Sequence, residues 1–563
     1  MTGDLTLERR RRLTHRALPA IAVLAVLAFV FGITVGGGHD SESERVARDF
    51  SAAWQREDYA AMHRLLTADA RAAVSREQLA EAYDGAAATA TLRRLEVGEP
   101  EVDGDLARLP VTAHTAVFGE VSGPVELPVA DGAIEWRPHL VFPGLGPGAA
   151  LDRRTTVPER AKLLAADGQV LAEGPPEARS SPLPAAASIA GSLEAPSEAA
   201  EQEALYARGF PEDTPVGVSG LERVFERQLA GRPGGELLAG QRVLARSEPR
   251  PAKPVRTTID PSVQEAADVA LAGRLGGVAA LDPRSGEILA LAGVAFSAPQ
   301  PPGSTFKIVT AAAALEAGKV KPADEFPIET AATIDGVELA NANGESCGGD
   351  FANSFAHSCN SVFAPLGIEV GAERLVEEAR QFGWNEDPGI PGALPSTIPH
   401  ASGIATPLEV GSTAIGQFQT LATTLQMASV AQTIANGGIR LRPTLSPRPA
   451  GAAGIRAVPP GVAKTIGRLM VGVVEFGTGT LAQVEGVEVA GKTGTAELGD
   501  TRGDDPEAAL RDGDPTNTDA WFTAYAPAGK PRIAVAVLLV RNGAGGTTAA
   551  PAAQGVLVAG LKR

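Results

Sequence analysis

The hydrophobic pattern of this chain changes character several times between its two ends. Residues 17–35 form an apolar run without a charge, close to the ~20 residues a membrane-spanning helix needs. Arg9, Arg10, Arg11, Arg12 and Arg16 stand just before it. Basic residues favour the inner side of a membrane, so residues 1–16 are expected as a cytoplasmic tail and 17–35 as a transmembrane anchor. The length of the run, with no small-x-small cleavage pattern before Gly36-Gly37-Gly38, argues for a retained anchor over a cleaved signal peptide. From 44 to 66 the apolar positions recur at helical spacing: Val46, Phe50, Ala53 and Trp54, then Tyr59, Met62, Leu65 and Leu66. From 88 to 141 the period switches to alternation. Strands are expected over 92–97, 107–112 and 134–137, with turns at Asp103-Gly104-Asp105 and Asp131-Gly132. Helices followed by an antiparallel sheet predict a small α+β domain over 41–150.

The middle region, 151–255, is less regular. An Asp167-Gly168 turn between two apolar runs predicts a hairpin. A stretch rich in Pro, Ala, Ser and Glu follows over 173–203 and is expected to be a flexible linker. Then comes Gly220-Leu221-Glu222-Arg223-Val224-Phe225, read as a packing segment. From 256 to the end the pattern becomes that of one large domain. Val263-Gln264-Glu265-Ala266-Ala267 starts a helix. The runs at 277–283 and 285–292 read as two strands and a turn, and those at 519–527 and 533–540 as further buried strands. This predicts an antiparallel sheet sandwiched by helices.

Length and charge narrow the picture. At 563 residues the chain should hold several domains, and a hydrophobic fraction of 44% can fill their cores. A net charge of −17 argues against a nucleic-acid partner, which needs a basic face.

The candidate chemistry starts at Pro301-Pro302-Gly303-Ser304-Thr305-Phe306-Lys307. A loop followed by an alanine-rich run places Ser304 at the first turn of a buried helix, with Lys307 one turn later on the same face. A serine hydroxyl is a poor nucleophile until a base takes its proton, and a desolvated lysine can be that base. Ser-x-x-Lys alone is weak. Two further segments strengthen it: Ser358-Cys359-Asn360, and Lys492-Thr493-Gly494-Thr495 after a strand-like run at 487–490. The ordered set S-x-x-K, S-x-N, K-T-G marks serine acyl-transferases acting on β-lactams and related acyl donors. In that chemistry Ser304 attacks a carbonyl and Lys307 takes its proton. The backbone N–H groups of Ser304 and Thr495 supply the two donors an oxyanion needs. Gly494, lacking a side chain, lets a substrate backbone approach the strand edge, and recognition then resembles an added strand. Ser358 relays a proton to the leaving amine and Asn360 holds the substrate's amide. Lys492 offers positive potential to a terminal carboxylate, with the Thr493 and Thr495 hydroxyls as hydrogen-bond partners. No metal or cofactor is required.

With these segments the chain resembles the class B penicillin-binding proteins, closely from Thr257-Thr258-Ile259-Asp260 to the C-terminus. The 220–225 segment resembles the pedestal of that family, although the usual pedestal entry is degraded here. Residues 41–150, with Trp136-Arg137-Pro138-His139-Leu140-Val141-Phe142-Pro143-Gly144-Leu145 as an exit strand, resemble the cone-shaped, nuclear-transport-factor-like domain of its low-affinity members. The resemblance implies a multidomain α+β architecture: anchor, small α+β domain, pedestal region (151–255) and serine transpeptidase domain (256–563). It implies a peptidoglycan D,D-transpeptidase outside the cell membrane, with stem peptides and β-lactams as ligands and a membrane glycan polymerase as partner. A D-Ala-D-Ala carboxypeptidase, a serine β-lactamase and a non-catalytic scaffold are the rival readings. The β-lactamase reading lacks a Glu-x-x-x-Asn candidate between Asn360 and Lys492, and a scaffold need not keep Ser304, Lys307, Ser358, Asn360 and Lys492 together.

Four features stand beside this set. Cys347 and Cys359 are the two cysteines, and the sequence leaves open whether they pair, since it cannot supply Cβ geometry. His357 is read as structural, because a sequence neighbour of Ser358 points elsewhere. Glu497 is read as a strand-end residue. The acidic stretch 498–518, with Asp500, Asp504, Asp505, Glu507, Asp512 and Asp514, is read as a solvated loop beside the active-site strand.

Overall fold

Strands buried on both faces explain the continuous apolar runs of the C-terminal half. In the computed structural model, which describes residues 41–449, 451, 453–499 and 514–563, five strands form one antiparallel sheet. They are β6 (Gly276–Leu281), β7 (Ile288–Gly293), β8 (Ala490–Glu497), β9 (Thr518–Ala526) and β10 (Ile533–Leu539), ordered β7-β6-β10-β9-β8. Every residue of β6 and β10 is buried. Alternate residues enter different cores: Ala279, Leu281, Ala534 and Ala536 one way, Val278, Ala280, Val535 and Val537 the other. Helices Thr424–Ala435 and Pro460–Glu475 pack one face, and Pro261–Leu271 and Ala549–Leu561 the other. The expected helix–sheet–helix sandwich is therefore present. Strand β8 is the sheet edge, which leaves one side of its backbone unpaired.

The chain divides into two units, 41–157 with 203–211 and 233–249, and 158–202 with 212–232 and 250–563. The first opens with α1 (Glu42–Gln55), α2 (Tyr59–Arg64), α3 (Ala68–Ala73) and α4 (Arg76–Ala90). An antiparallel sheet follows: β1 (Leu92–Val97), β2 (Glu101–Asp103), β3 (Leu106–Thr115), β4 (Glu120–Ala130) and β5 (Ala133–Ile134). The core between them holds Phe50, Trp54, Met62, Leu79, Leu109 and Leu127.

Several local expectations change. The single helix over 44–66 is two: it breaks where Glu57 takes φ 57°, and the Asp58 carboxylate caps α2 by accepting from Ala61 N at 2.9 Å. The strand at 134–137 stops at Ile134, and the expected exit strand is a 3₁₀ turn, Pro138–Val141. Proline has no N–H to continue a ladder. The stretch 173–203 is not a structureless linker. It carries the helix Pro184–Ala190, started by a proline at its first position and built of alanine, which buries Ala186 and Ile189. The strand expected at 487–490 begins only at Ala490. The predicted anchor at 17–35 and residues 500–513 of the acidic stretch lie outside the described residues. Among the described residues no helix is long and apolar enough to cross a membrane.

The Gly-Leu-Glu segment has a definite role in the second unit. The Glu222 carboxylate is buried and accepts from Arg160 Nε at 2.8 Å and Arg179 Nε at 2.7 Å, and Arg160 also reaches Glu226 at 2.8 Å. Removing one member of a buried pair leaves an uncompensated charge, at a cost of about 3–5 kcal/mol. The expected outcome for Glu222→Ala in the full chain is a lowered denaturation midpoint corresponding to that loss, read by chemical denaturation. An unchanged midpoint would show that the cluster is not structural.

Candidate active site

Three segments converge on one hydroxyl. Ser304 lies in a 3₁₀ turn, Gly303–Phe306, that feeds α5 (Lys307–Glu316), so it precedes the α-helix instead of sitting in its first turn. The turn is held from several sides. The Thr305 hydroxyl donates to Pro302 O at 2.7 Å, and Gly303 N donates to Gly416 O at 2.9 Å. The buried Phe306 ring meets Trp384 edge-on at 5.4 Å. Gly303 has φ 52°, and a Cβ there would lie 2.8 Å from the Thr495 carbonyl oxygen. Neither strain nor space allows a side chain.

The Ser-x-Asn segment joins α6 (Phe351–Ala356) to α7 (Asn360–Val370). Ser358 adopts φ 62°, a conformation that turns both its carbonyl and its hydroxyl toward Lys307. Cys359, at the head of α7, forms a disulfide with Cys347, with Cα atoms 5.4 Å apart, which settles the question the sequence left open. His357 is exposed and its ring lies 6.3 Å from that of Phe476.

Lys307 is fully buried. Its Nζ donates to Ser358 O at 2.6 Å and Asn360 Oδ1 at 2.7 Å, and lies 3.2 Å from Ser358 Oγ. Lys492 is also fully buried, and its Nζ donates to the same Ser358 Oγ at 2.8 Å and to Thr493 O at 3.1 Å. Ser358 Oγ thus bridges two lysines. Burial pushes Lys307 well below the usual lysine range, and the charge of Lys492 adds to this. Burial alone brings Lys492 down to about 7. The Lys492 ammonium points at Ser358, and it lies 5.7 Å from the centre of the Phe355 ring. Nor do Lys307 and Ser304 form a hydrogen bond among the described residues. In a resting site such bonds are often long and tighten only around substrate.

Edge strand β8 completes the site. Gly494 lies opposite Trp521 and Thr495 opposite Ala520, and along an edge strand successive residues turn their N–H and C=O alternately toward and away from the neighbouring strand. The Thr495 carbonyl lies against Gly303, which puts the Thr495 N–H on the side of the serine turn. At Gly494 a Cβ would lie 2.8 Å from Pro302 O and 2.9 Å from Thr305 Cγ2. What approaches Gly494 is the protein's own turn. The Thr495 hydroxyl accepts from Gly545 N at 3.3 Å, and the Thr493 hydroxyl bonds the Thr478 hydroxyl at 2.5 Å. Glu497 is the last residue of β8.

Two polar residues here escaped the reading of the sequence. Thr478 donates its N–H to Ala356 O at 3.1 Å and so ties Thr493 to the segment before Ser358. Asn341, buried after the hairpin Ala331–Ile334/Val337–Ala340, bonds Ser361 beside Asn360. Both sit in Gly- or Asn-rich stretches that read only as turns. Among the described residues no His, Cys, Asp or Glu cluster could hold a metal.

Comparison with known proteins places this arrangement. The model for the penicillin-binding protein transpeptidase domain matches residues 276–557. The chain is 35% identical over 408 residues to the peptidoglycan D,D-transpeptidase PbpA of Mycobacterium tuberculosis, covering 60% of this chain and 77% of the relative. Against PbpA of Mycolicibacterium smegmatis it is 33% identical over 416 residues, with coverage of 61% and 80%. Among solved structures, the ceftriaxone acyl-enzyme complex of penicillin-binding protein A from M. tuberculosis superposes with a TM-score of 0.57 at 28% identity, covering 72% of this chain and 98% of that one. The D,D-transpeptidase domain of a peptidoglycan glycosyltransferase from Eggerthella lenta gives 0.56 at 27%, with coverage of 72% and 98%. A serine turn, a Ser-x-Asn junction and a Lys-Thr-Gly edge strand meeting at one bridged hydroxyl, in a chain so matched, belong to the class B penicillin-binding proteins, and this chain is a member of that family.

Proposed function

We propose that this chain is a peptidoglycan D,D-transpeptidase that works through an acyl-serine and is acylated at the same serine by β-lactams. The observation that carries the reading is the Ser358 hydroxyl held between two buried lysines, one of them on an edge strand whose Thr495 carbonyl lies against the serine turn at Gly303. The Lys307 lone pair takes the Ser304 proton as Oγ attacks the carbonyl of a D-Ala-D-Ala stem-peptide end. The oxyanion is received between the N–H groups of Ser304 and Thr495, a term typically worth ~10²–10³ in rate per donor. Ser358 passes the proton on to the departing D-Ala amine. An amine of a neighbouring stem peptide then attacks the ester and releases Ser304. Asn360, Thr493 and Thr495 orient the acyl donor, with Gly494 keeping the strand seated against the serine turn. Lys492 acts on the carboxylate end through its charge and through Ser358.

The domain reading follows the same support. Four helices leading into an antiparallel sheet fit a nuclear-transport-factor-like domain over 41–150. The apolar run at 17–35 fits a single-pass anchor with the catalytic domain outside the membrane, and a membrane glycan polymerase fits as partner.

Two outcomes are expected. Intact-mass spectrometry of the full chain after exposure to a penicillin gives a stable adduct of one drug mass, lost in Ser304→Ala. Rapid drug hydrolysis without an adduct would mean a β-lactamase. The second concerns pH. Lys492 holds its proton below about 7 and loses it above. If its charge attracts the carboxylate, the second-order acylation rate falls above about pH 7, approaching tenfold per unit. A rate that stays level to pH 9 would remove that role from Lys492.

A further inference from the structure

Resting on the reading of Lys307 as the base that activates Ser304, we propose that Asn341 is a positioning residue for that base, acting by fixing the side-chain amide of Asn360. Asn341 lies outside the three catalytic segments and reaches none of the reacting atoms.

The inference starts from the proton count on Lys307. A neutral amine has two N–H bonds and one lone pair. The two shortest contacts of Nζ, Ser358 O and Asn360 Oδ1, are acceptors and use both protons. The lone pair is left for the hydroxyls, which is what a base requires. This holds only while Asn360 presents its oxygen to Lys307. An amide has nearly the same shape either way round, so something must set its orientation. The opposite end of the amide does so: Nδ2 donates to Ala340 O at 2.6 Å. Turned over, Asn360 would set two oxygens against each other at Ala340 and aim an N–H at the Lys307 lone pair.

Asn341 is what holds the Ala340 carbonyl opposite Asn360. Its Oδ1 accepts from Ser361 N at 2.9 Å. Its Nδ2 donates its two protons to Glu329 O at 2.8 Å and Glu345 O at 3.0 Å, and lies 3.2 Å from Ser361 Oγ. Its backbone N–H donates to Thr330 O at 2.8 Å. The latch is therefore two residues against two: Ala340 at the end of the hairpin and Asn341 just after it, Asn360 and Ser361 on α7. Asn341 is only 5% exposed, so little water competes for its side-chain bonds.

The consequence for Lys307 has a sign. Acceptors favour the ammonium form, so losing Asn360 Oδ1 lowers the Lys307 pKa further, while a turned amide occupies the lone pair and slows proton transfer. Lys492 on β8 is the charged group acting on Lys307 from a neighbouring element, and Phe363 on α7 faces it with a neutral ring at 5.5 Å. Neither is altered by a change at Asn341.

The test is the rate of penicillin acylation of the full chain from pH 5 to pH 10, read by intact mass, for the parent protein, Asn341→Ala, Asn341→Ser and Lys307→Ala. The parent shows a rate that rises with pH as Lys307 loses its proton, up to the fall above about pH 7 that the loss of the Lys492 charge brings. In Asn341→Ala the maximum rate falls at least about tenfold and the midpoint of the rise moves down by about one pH unit. Asn341→Ser, which keeps a short polar group, shows a smaller shift in the same direction. A folded Asn341→Ala whose midpoint stays in place overturns the proposal, whatever its rate, because a merely structural defect changes the amount of competent enzyme and not its titration. Failure of both Asn341 variants to fold overturns it too, in favour of a role in stability alone. Lys307→Ala that still acylates at the parent rate, or a parent with no rise, would instead sink the assignment of Lys307 as the base.

Discussion

Burying two lysine side chains around one serine hydroxyl is the constraint on which the active half of this protein depends. Each ammonium taken from water costs several kcal/mol unless its protons are matched or its charge is given up. The fold does some of both. Lys307 and Lys492 are pushed toward their neutral forms, and their remaining protons go to Ser358, Asn360 and backbone carbonyls. Two like charges sharing one hydroxyl cannot both persist cheaply, so one lysine is driven to be a base while the other keeps more of its proton.

That arrangement demands rigidity from its surroundings. The serine turn is wedged between Gly416 and strand β8, with Gly303 and Gly494 sitting where the two backbones come too close for any side chain. Ser358 is held in a left-handed conformation between two helices, and the neighbouring Cys359 is tied to Cys347. The edge position of β8 follows from the same economy: a strand with one unpaired side can both pack against the turn and offer N–H groups to an acyl group. The polar contacts around Asn341 and Thr478 extend this frame outward without touching the reacting atoms.

Much of this was legible in the sequence because it depends on local spacing. The Ser-x-x-Lys interval is set by helical geometry. Continuous apolar runs at 277–283 and 533–540 report strands buried on both faces, and the Lys-Thr-Gly run lies in edge strand β8. Boundaries were less legible where side chains compete with backbone pairing: Asp58 offered a cap and split a helix, and Pro138 ended a strand. Alanine and proline in 184–190 read as a linker by composition, yet the same residues start and propagate a helix once Ile189 has a core to enter.

The sequence by itself determined which groups could do chemistry: a serine, two lysines, an asparagine and an edge strand with a glycine at its centre. Only the tertiary structure decided what each group faces. Lys492 points at Ser358 because of the inward position it occupies on β8, and Gly494 is occupied by the protein's own turn. The cysteines pair because the segments carrying them bring their Cα atoms within 5.4 Å. Asn341 matters because a hairpin 20 residues upstream in sequence closes on Ser361. Spacing along a chain fixes local geometry to within a helical turn, whereas the direction of a buried proton depends on atoms that meet only when distant segments pack.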